Sequence, residues 1–99
     1  MNRIKYIDPK LKEAFQTVSP SVQREVDISF DIAKRISDLL TVKHMSQADL
    51  ARACNKKPAL VSRWLSGTHN FTIQTIAVIE TALGASIITV QKSRKARKT

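Results

Sequence analysis

The chain contains few of the residues that cross-link, kink or turn a backbone: its 99 residues include one Cys, three Pro and two Gly. A single cysteine, Cys54, excludes a disulfide within the chain, which fits a reducing cytosol. So little Gly and Pro leaves few turn residues for an all-β sandwich and favours helices. The length is enough for one globular core and too short for two.

The sequence also lacks long apolar runs and the usual arrangements of catalytic residues. No run approaches the roughly 18 residues that span a bilayer. Met1–Ile7 holds no apolar stretch long enough for a signal peptide. His44 and His69 are far apart with Cys54 between them, no Gly-rich phosphate loop is present, and no nucleophile has an obvious base. We therefore expect a soluble, cytoplasmic protein with no membrane partner, no metal, no cofactor and no enzymatic activity.

Basic charge is in excess, with a formal net charge of +9. Residues 92–99 carry five Lys or Arg and no acid, which leaves +4 on the rest of the chain. The end of the chain is predicted to be a basic disordered tail. The body remains basic without this tail, which indicates a polyanionic partner.

Two dipeptides that end in proline predict where the first two helices begin. Asp8-Pro9 and Ser19-Pro20 each place a capping side chain before a proline, which is typical of a helix N-terminus. The first dipeptide predicts a short helix through about Val18, and the second predicts a long helix to about Lys43. Apolar residues recur along the long helix at three- or four-residue spacing and predict that it packs on the core. They are Val22, Val26, Phe30, Ala33, Ile36 and Leu40.

The next segment predicts a shorter helix and a turn. Ser46 with Asp49 three residues later resembles a capping box and predicts a helix over about Gln47–Ala53. Asn55 lies where the chain must turn, because Asn tolerates the left-handed conformation. Pro58 fits the first turn of the next helix without the loss of a hydrogen bond.

That next helix is predicted over Lys57–Ser66, ending at Gly67. A further helix is predicted over Thr72–Leu83, with Gly84 as its C-cap. Val61 and Trp64 are expected to anchor the first of these two helices from beneath, so its other face points outward. This arrangement lets a helix enter a major groove, and it predicts a helix-turn-helix with Lys57–Ser66 as the recognition helix.

Ser86–Gln91 is rich in β-branched residues and predicts a short strand. A lone strand leaves its backbone groups unpaired, and the chain offers no second strand. We therefore expect pairing with a second copy through Ile87, Ile88 and Val90; the alternatives are an extended segment packed on the helices and a dimer formed through the last helix. The predicted organisation is an N-terminal extension (1–21), a DNA-binding domain (22–91) and the tail (92–99).

The helix-turn-helix segment resembles the Cro/lambda-repressor-like family, also called XRE-type. The resemblance extends over about residues 30–84. It implies an all-α fold: a five-helix lambda-repressor-like domain, with the helical extension before it and the strand after it. Lys56 and Lys57 depart from the family pattern, which usually has an apolar residue and then a capping Ser or Thr. The residues that match the pattern without a gap are Ser46, Gln47, Leu50, Ala51, Val61, Ser62, Trp64 and Gly67.

The resemblance implies sequence-specific binding to double-stranded DNA. Arg63 is the strongest candidate for base recognition, because its planar fork matches guanine O6 and N7. We expect a homodimer on a palindromic operator with half-sites about one helical turn apart. The predicted base contacts are Lys57, Ala59, Ser62 and Arg63. The predicted phosphate contacts are Gln47, Lys56, Ser66, Thr68, His69 and Asn70.

The segment Glu25–Ala33 also resembles antitoxins of the host-inhibition-of-growth type, and the extension Asp8–Ile36 and the strand-like end support this resemblance. That resemblance implies a repressor of its own operon that also neutralises a small basic ribonuclease toxin. Asp27, Asp31 and Asp38 form a candidate acidic face for such a toxin. The alternatives are a phage-type or general bacterial repressor without a toxin, a protein that acts mainly as a toxin inhibitor, and non-specific binding through the tail alone.

Overall fold

The computed structural model describes residues 19–92. This part of the chain forms four helices. The short helix predicted to end near Val18 and most of the basic tail lie outside the described residues. Within residues 19–92, no helix is both long and apolar enough to cross a bilayer. The helices are α1 (Pro20–Val42), α2 (Gln47–Cys54), α3 (Pro58–Trp64) and α4 (Ile73–Leu83).

Local sequence sets most of the helix boundaries. The Ser46 hydroxyl accepts a hydrogen bond from the Asp49 backbone N–H at 3.0 Å, and the Asp49 carboxylate accepts one from the Ser46 N–H at 2.9 Å. This reciprocal pair is the predicted capping box. Asn55 ends α2 in the left-handed conformation (φ 56°, ψ 47°), and Gly84 ends α4 at φ 63°. The predicted turn and C-cap are therefore confirmed.

The core lies where the second half of α1 meets the three shorter helices. α2 packs on both α3 and α4. Ala51, a small residue of α2, is only 2% exposed. Trp64 is 1% exposed and is the largest of the fully buried side chains. The remaining core residues are Ile32, Ala33, Ile36, Leu39, Leu40, Leu50, Cys54, Val61, Ile76, Ile79 and Leu83.

The predicted apolar stripe of α1 is wrong over its first half. Val22, Val26 and Phe30 are 44%, 46% and 48% exposed. The buried residues of α1 all lie at or after Ser29. The other described helices cover only the second half of α1, so helical periodicity alone does not decide burial in the first half.

The predicted C-terminal strand is also absent, since residues 19–92 contain no strand. One Glu80 carboxylate oxygen accepts hydrogen bonds from the backbone N–H groups of Ile87 (2.7 Å) and Ile88 (3.2 Å). Successive N–H groups of a strand point to opposite sides, so two neighbours that reach one oxygen require a bend. Arg35 Nε also donates to the Ser86 carbonyl at 3.0 Å. The segment is therefore fastened to the helices of its own chain.

Candidate nucleic-acid interface

The turn between α2 and α3 is tight. After Asn55, the Lys56 N–H donates back to the Ala51 carbonyl at 2.8 Å. Lys57 is the N-cap of α3 and makes no side-chain capping bond, and Pro58 begins the helix. The helix lies within the predicted range Lys57–Ser66 but is shorter. α2, the turn and α3 together form the predicted helix-turn-helix.

α3 has one anchored face and one open face. Val61 and Trp64 are 0% and 1% exposed, which confirms that they anchor the helix from beneath. Leu60 and Leu65 are half-buried against the same core. The opposite face is exposed and carries all the predicted base-contact residues: Lys57, Ala59, Ser62 and Arg63. Their contacts with bases remain a prediction.

An open groove of about 620 Å³ runs along this exposed face. Within residues 19–92, the Arg63 guanidinium has no hydrogen-bond or ion-pair partner, so its fork can bind a ligand. Asn55 was predicted only as a turn residue and Leu60 was not predicted as a site residue, yet both line the groove. Spacing along the chain does not reveal that the turn and the first residues of α3 share a surface. The groove is lined by Asn55, Lys56, Lys57, Ala59, Leu60 and Arg63.

The electrostatics of the helix-turn-helix favour an anion. The only acid between residues 43 and 79 is Asp49. Hydrogen bonds from Ser46, first from its backbone and then from its side chain, lower the pKa of Asp49, and Arg52 lowers it further. Asp49 is therefore held at the start of α2, where it complements the helix dipole. The bases of the same stretch are Lys43, Arg52, Lys56, Lys57 and Arg63.

The loop after α3 holds most of the predicted phosphate contacts. The Ser66 hydroxyl donates to the Arg63 carbonyl at 2.7 Å, which engages its only proton. The Thr68 N–H donates to the same hydroxyl oxygen at 3.3 Å. His69 is half-buried, with its ring edge-on to Phe71 at a centroid distance of 4.8 Å. Thr68 and Asn70 are exposed beside them.

The other two predicted phosphate contacts lie at the ends of α2. Gln47 is the first residue of α2 and Lys56 follows its C-cap, and both are exposed. Gln47 therefore occupies a helix N-terminus, where backbone N–H groups attract anions. None of the predicted phosphate contacts is buried, and all remain predictions.

Metal and thiol chemistry have no support in the described residues. Among residues 19–92, no group of His, Cys, Asp or Glu side chains is arranged to hold a metal ion. Cys54 is buried, and this burial raises the pKa of its thiol although Lys56 acts in the opposite direction. A thiol in this state is a core side chain and a poor nucleophile.

One comparison with known proteins agrees with this geometry. A family model described as Helix-turn-helix matches residues 42–89. The match spans the end of α1, the whole helix-turn-helix, the following loop and α4. It supports the resemblance to the lambda-repressor-like family and the class of DNA-binding transcription regulators. Neither the curated proteins nor the solved structures gave a match.

Proposed function

We propose that this protein is a non-enzymatic, sequence-specific repressor that places α3 in the major groove of DNA. The observation that carries the proposal is the Arg63 fork, which has no partner among residues 19–92 and lies on the exposed face of a helix that Val61 and Trp64 anchor. A bidentate arginine–guanine contact discriminates against the wrong base by about 1–3 kcal/mol. Lys56 and Lys57 bring positive charge to the same groove.

We further propose that it binds a palindromic operator as a homodimer. Ile88 and Val90 are 40% and 72% exposed and supply apolar area for contact with a second copy. Ile87 is partly buried against the core of its own chain and contributes less. Two recognition helices about one helical turn apart would then read the two half-sites.

The finer proposal is that the repressor is the antitoxin of a toxin–antitoxin pair. α1 is the acidic part of the described chain, with four acids and three bases over residues 20–42. Its exposed first half adds the apolar side chains of Val22, Val26 and Ile28. An acidic and apolar surface suits a small basic ribonuclease. The alternative, a phage-type or general bacterial repressor, uses the same DNA-binding face and needs no partner on α1.

Fluorescence anisotropy tests the DNA-binding proposal. Wild type, Arg63→Ala and Lys34→Ala would be titrated onto the chain's own upstream DNA and onto a scrambled duplex at about physiological ionic strength. Lys34 is the matched control, because it is an exposed cation on α1, away from the helix-turn-helix, that pairs with Asp38 (3.2 Å). We expect tight binding of wild type and Lys34→Ala to the upstream duplex alone, and about 10–100-fold weaker binding of Arg63→Ala. Equal, weak binding of both duplexes by wild type would refute sequence-specific recognition.

The antitoxin proposal has a separate test. If the neighbouring gene encodes a small basic protein, its purified product should bind the wild type and Arg63→Ala equally, since Arg63 lies on the DNA face. Asp27→Lys should weaken that complex, because it reverses a charge on the acidic face of α1. Failure of the neighbouring protein to bind the wild type would leave the repressor without a toxin partner.

A further inference from the structure

The loop that follows the recognition helix rests against α1. Gly67 is buried in this loop, and a Cβ built on it would lie 2.9 Å from Phe30 Cε1 and 3.0 Å from Phe30 Cδ1. The edge of the Phe30 ring therefore lies directly against the Gly67 backbone. This contact joins residues far apart in the sequence.

The same stretch of α1 borders the loop at a second place. Ile28 and Ile32 share one open pocket with Asn70 and Phe71. The loop thus contacts α1 at Gly67 and faces it across an open pocket at Asn70. Among residues 19–92, the other helices bury α1 residues only from Ser29 onward, so the Phe30–Gly67 contact lies at the edge of the buried part.

The loop is also joined firmly to α3. The Ser66 N–H and the Ser66 hydroxyl both donate to the Arg63 carbonyl, at 3.2 and 2.7 Å. The Thr68 N–H donates to the oxygen of the same Ser66 hydroxyl. The conformation of the loop is therefore restrained at two places: α3 holds one end, and the Phe30 ring supports the backbone at Gly67.

We propose that Phe30 is a positioning residue for DNA binding, holding the 66–70 loop where Thr68, His69 and Asn70 meet the phosphate backbone. The inference rests on the proposed DNA-binding function and adds a residue outside the helix-turn-helix to it. Phe30 acts through Gly67 and the loop and does not touch DNA. Because the ring is about half exposed, a partner seated on the outer surface of α1 would contact the same side chain.

Thr68 and Asn70, two of the loop residues that would bind phosphate, have uncharged side chains, which gives the proposal a distinct signature. Loss of their hydrogen bonds should weaken binding to every duplex alike, since phosphate contacts do not read sequence. It should leave the salt dependence unchanged, because that slope counts phosphates neutralised by Lys and Arg. Loss of Arg63, in contrast, should act mainly on the specific duplex.

The test is a double-mutant cycle on DNA affinity, with wild type, Phe30→Ala, Thr68→Ala and the double variant. Val26→Ala is the matched control, because Val26 is an apolar residue of α1 with nearly the same exposure as Phe30. Titrations would use the upstream and scrambled duplexes between about 50 and 200 mM salt. Circular dichroism would restrict the comparison to conditions where each variant is folded, and Phe30→Leu would serve if Phe30→Ala did not fold.

We expect Phe30→Ala to weaken binding to both duplexes about 10-fold, with an unchanged salt slope. Phe30→Leu should lose less, and Val26→Ala should bind like wild type. The double variant should bind no more than a few-fold more weakly than Phe30→Ala, because both changes remove the same contact. Wild-type affinity in Phe30→Ala, or fully additive losses in the cycle, would overturn the proposal. Failure of wild type to prefer its upstream duplex would instead overturn the proposed function.

Discussion

Gly67→Ala is a sharp test of how the loop packs on α1, because the added Cβ lowers the stability of the fold in two separate ways. The first is conformational: Gly67 has φ +91°, and a left-handed backbone costs an L-residue about 1–2 kcal/mol. The second is steric, since the new methyl group would lie 2.9 Å from the Phe30 ring. Overpacking costs about 1–3 kcal/mol, and the half-exposed ring can yield, so we take about 1 kcal/mol. The predicted loss of unfolding free energy is about 2–3 kcal/mol.

Gly84→Ala is the matched control. Gly84 also has a positive φ, at +63°, but a Cβ there would meet no atom within 4 Å. Only the conformational cost of about 1–2 kcal/mol applies. Urea unfolding followed by the fluorescence of Trp64 measures both variants, because Trp64 is the only tryptophan and is 1% exposed. A change in the urea midpoint without a change in slope gives the difference directly.

A cycle with Phe30→Ala separates the two costs. Removal of the ring should abolish the steric part of the Gly67→Ala effect and leave the conformational part, so the two changes should couple favourably by about 1 kcal/mol. Equal destabilisation by Gly67→Ala and Gly84→Ala, together with no coupling to Phe30, would refute the contact between the loop and α1.

Two further predictions concern the C-terminal segment and the turn. Hydrogen bonds from Ile87 and then Ile88 lower the pKa of Glu80 below its usual 4.5. Its stabilising effect should therefore be complete above about pH 4.5 and fall as the pH drops through the folded pKa. Unfolding of wild type and Glu80→Gln at pH 6 and pH 3 should show that the difference between them shrinks in acid; a constant difference would contradict this. Lys57→Ser should raise stability by about 1 kcal/mol through a new N-cap. Because Lys57 is a predicted base contact, the same change should weaken binding to the upstream duplex more than to a scrambled one, and equal losses on both duplexes would show that Lys57 does not read a base.

The helix-turn-helix was predictable from sequence because its determinants are local. The Ser46–Asp49 capping box, the left-handed Asn55 and the N-terminal Pro58 each act within a few residues of themselves. The exposed face of α3 was predictable for the same reason, since burial of Val61 and Trp64 fixes which side of the helix points outward. Helix boundaries and the open face therefore agree with the predictions to within a few residues.

The features that sequence did not predict depend on distant contacts. How far the shorter helices cover α1 is set by tertiary packing, so the stripe from Val22 to Phe30 has the periodicity of a core and remains half exposed. The C-terminal segment is rich in β-branched residues, yet it forms no strand among residues 19–92. Glu80 and Arg35 instead make hydrogen bonds with its backbone groups. The engagement of Ser66 by the Arg63 carbonyl is likewise a property of loop geometry that residue type does not reveal.

At Lys57, the stability of α3 and the binding of DNA favour different residue types. An N-cap favours Ser, Thr, Asp or Asn, and a positive charge at a helix N-terminus opposes the helix dipole. Lys57 has both disadvantages, with no side-chain capping bond at the start of α3. Lys56 and Arg63 line the same groove, so the three cations also repel one another in the free protein. Bound DNA relieves that repulsion, because phosphates neutralise the cations and release counterions. A local departure from good helix design is thus expected where the protein meets its ligand, and here it coincides with the proposed DNA-binding face.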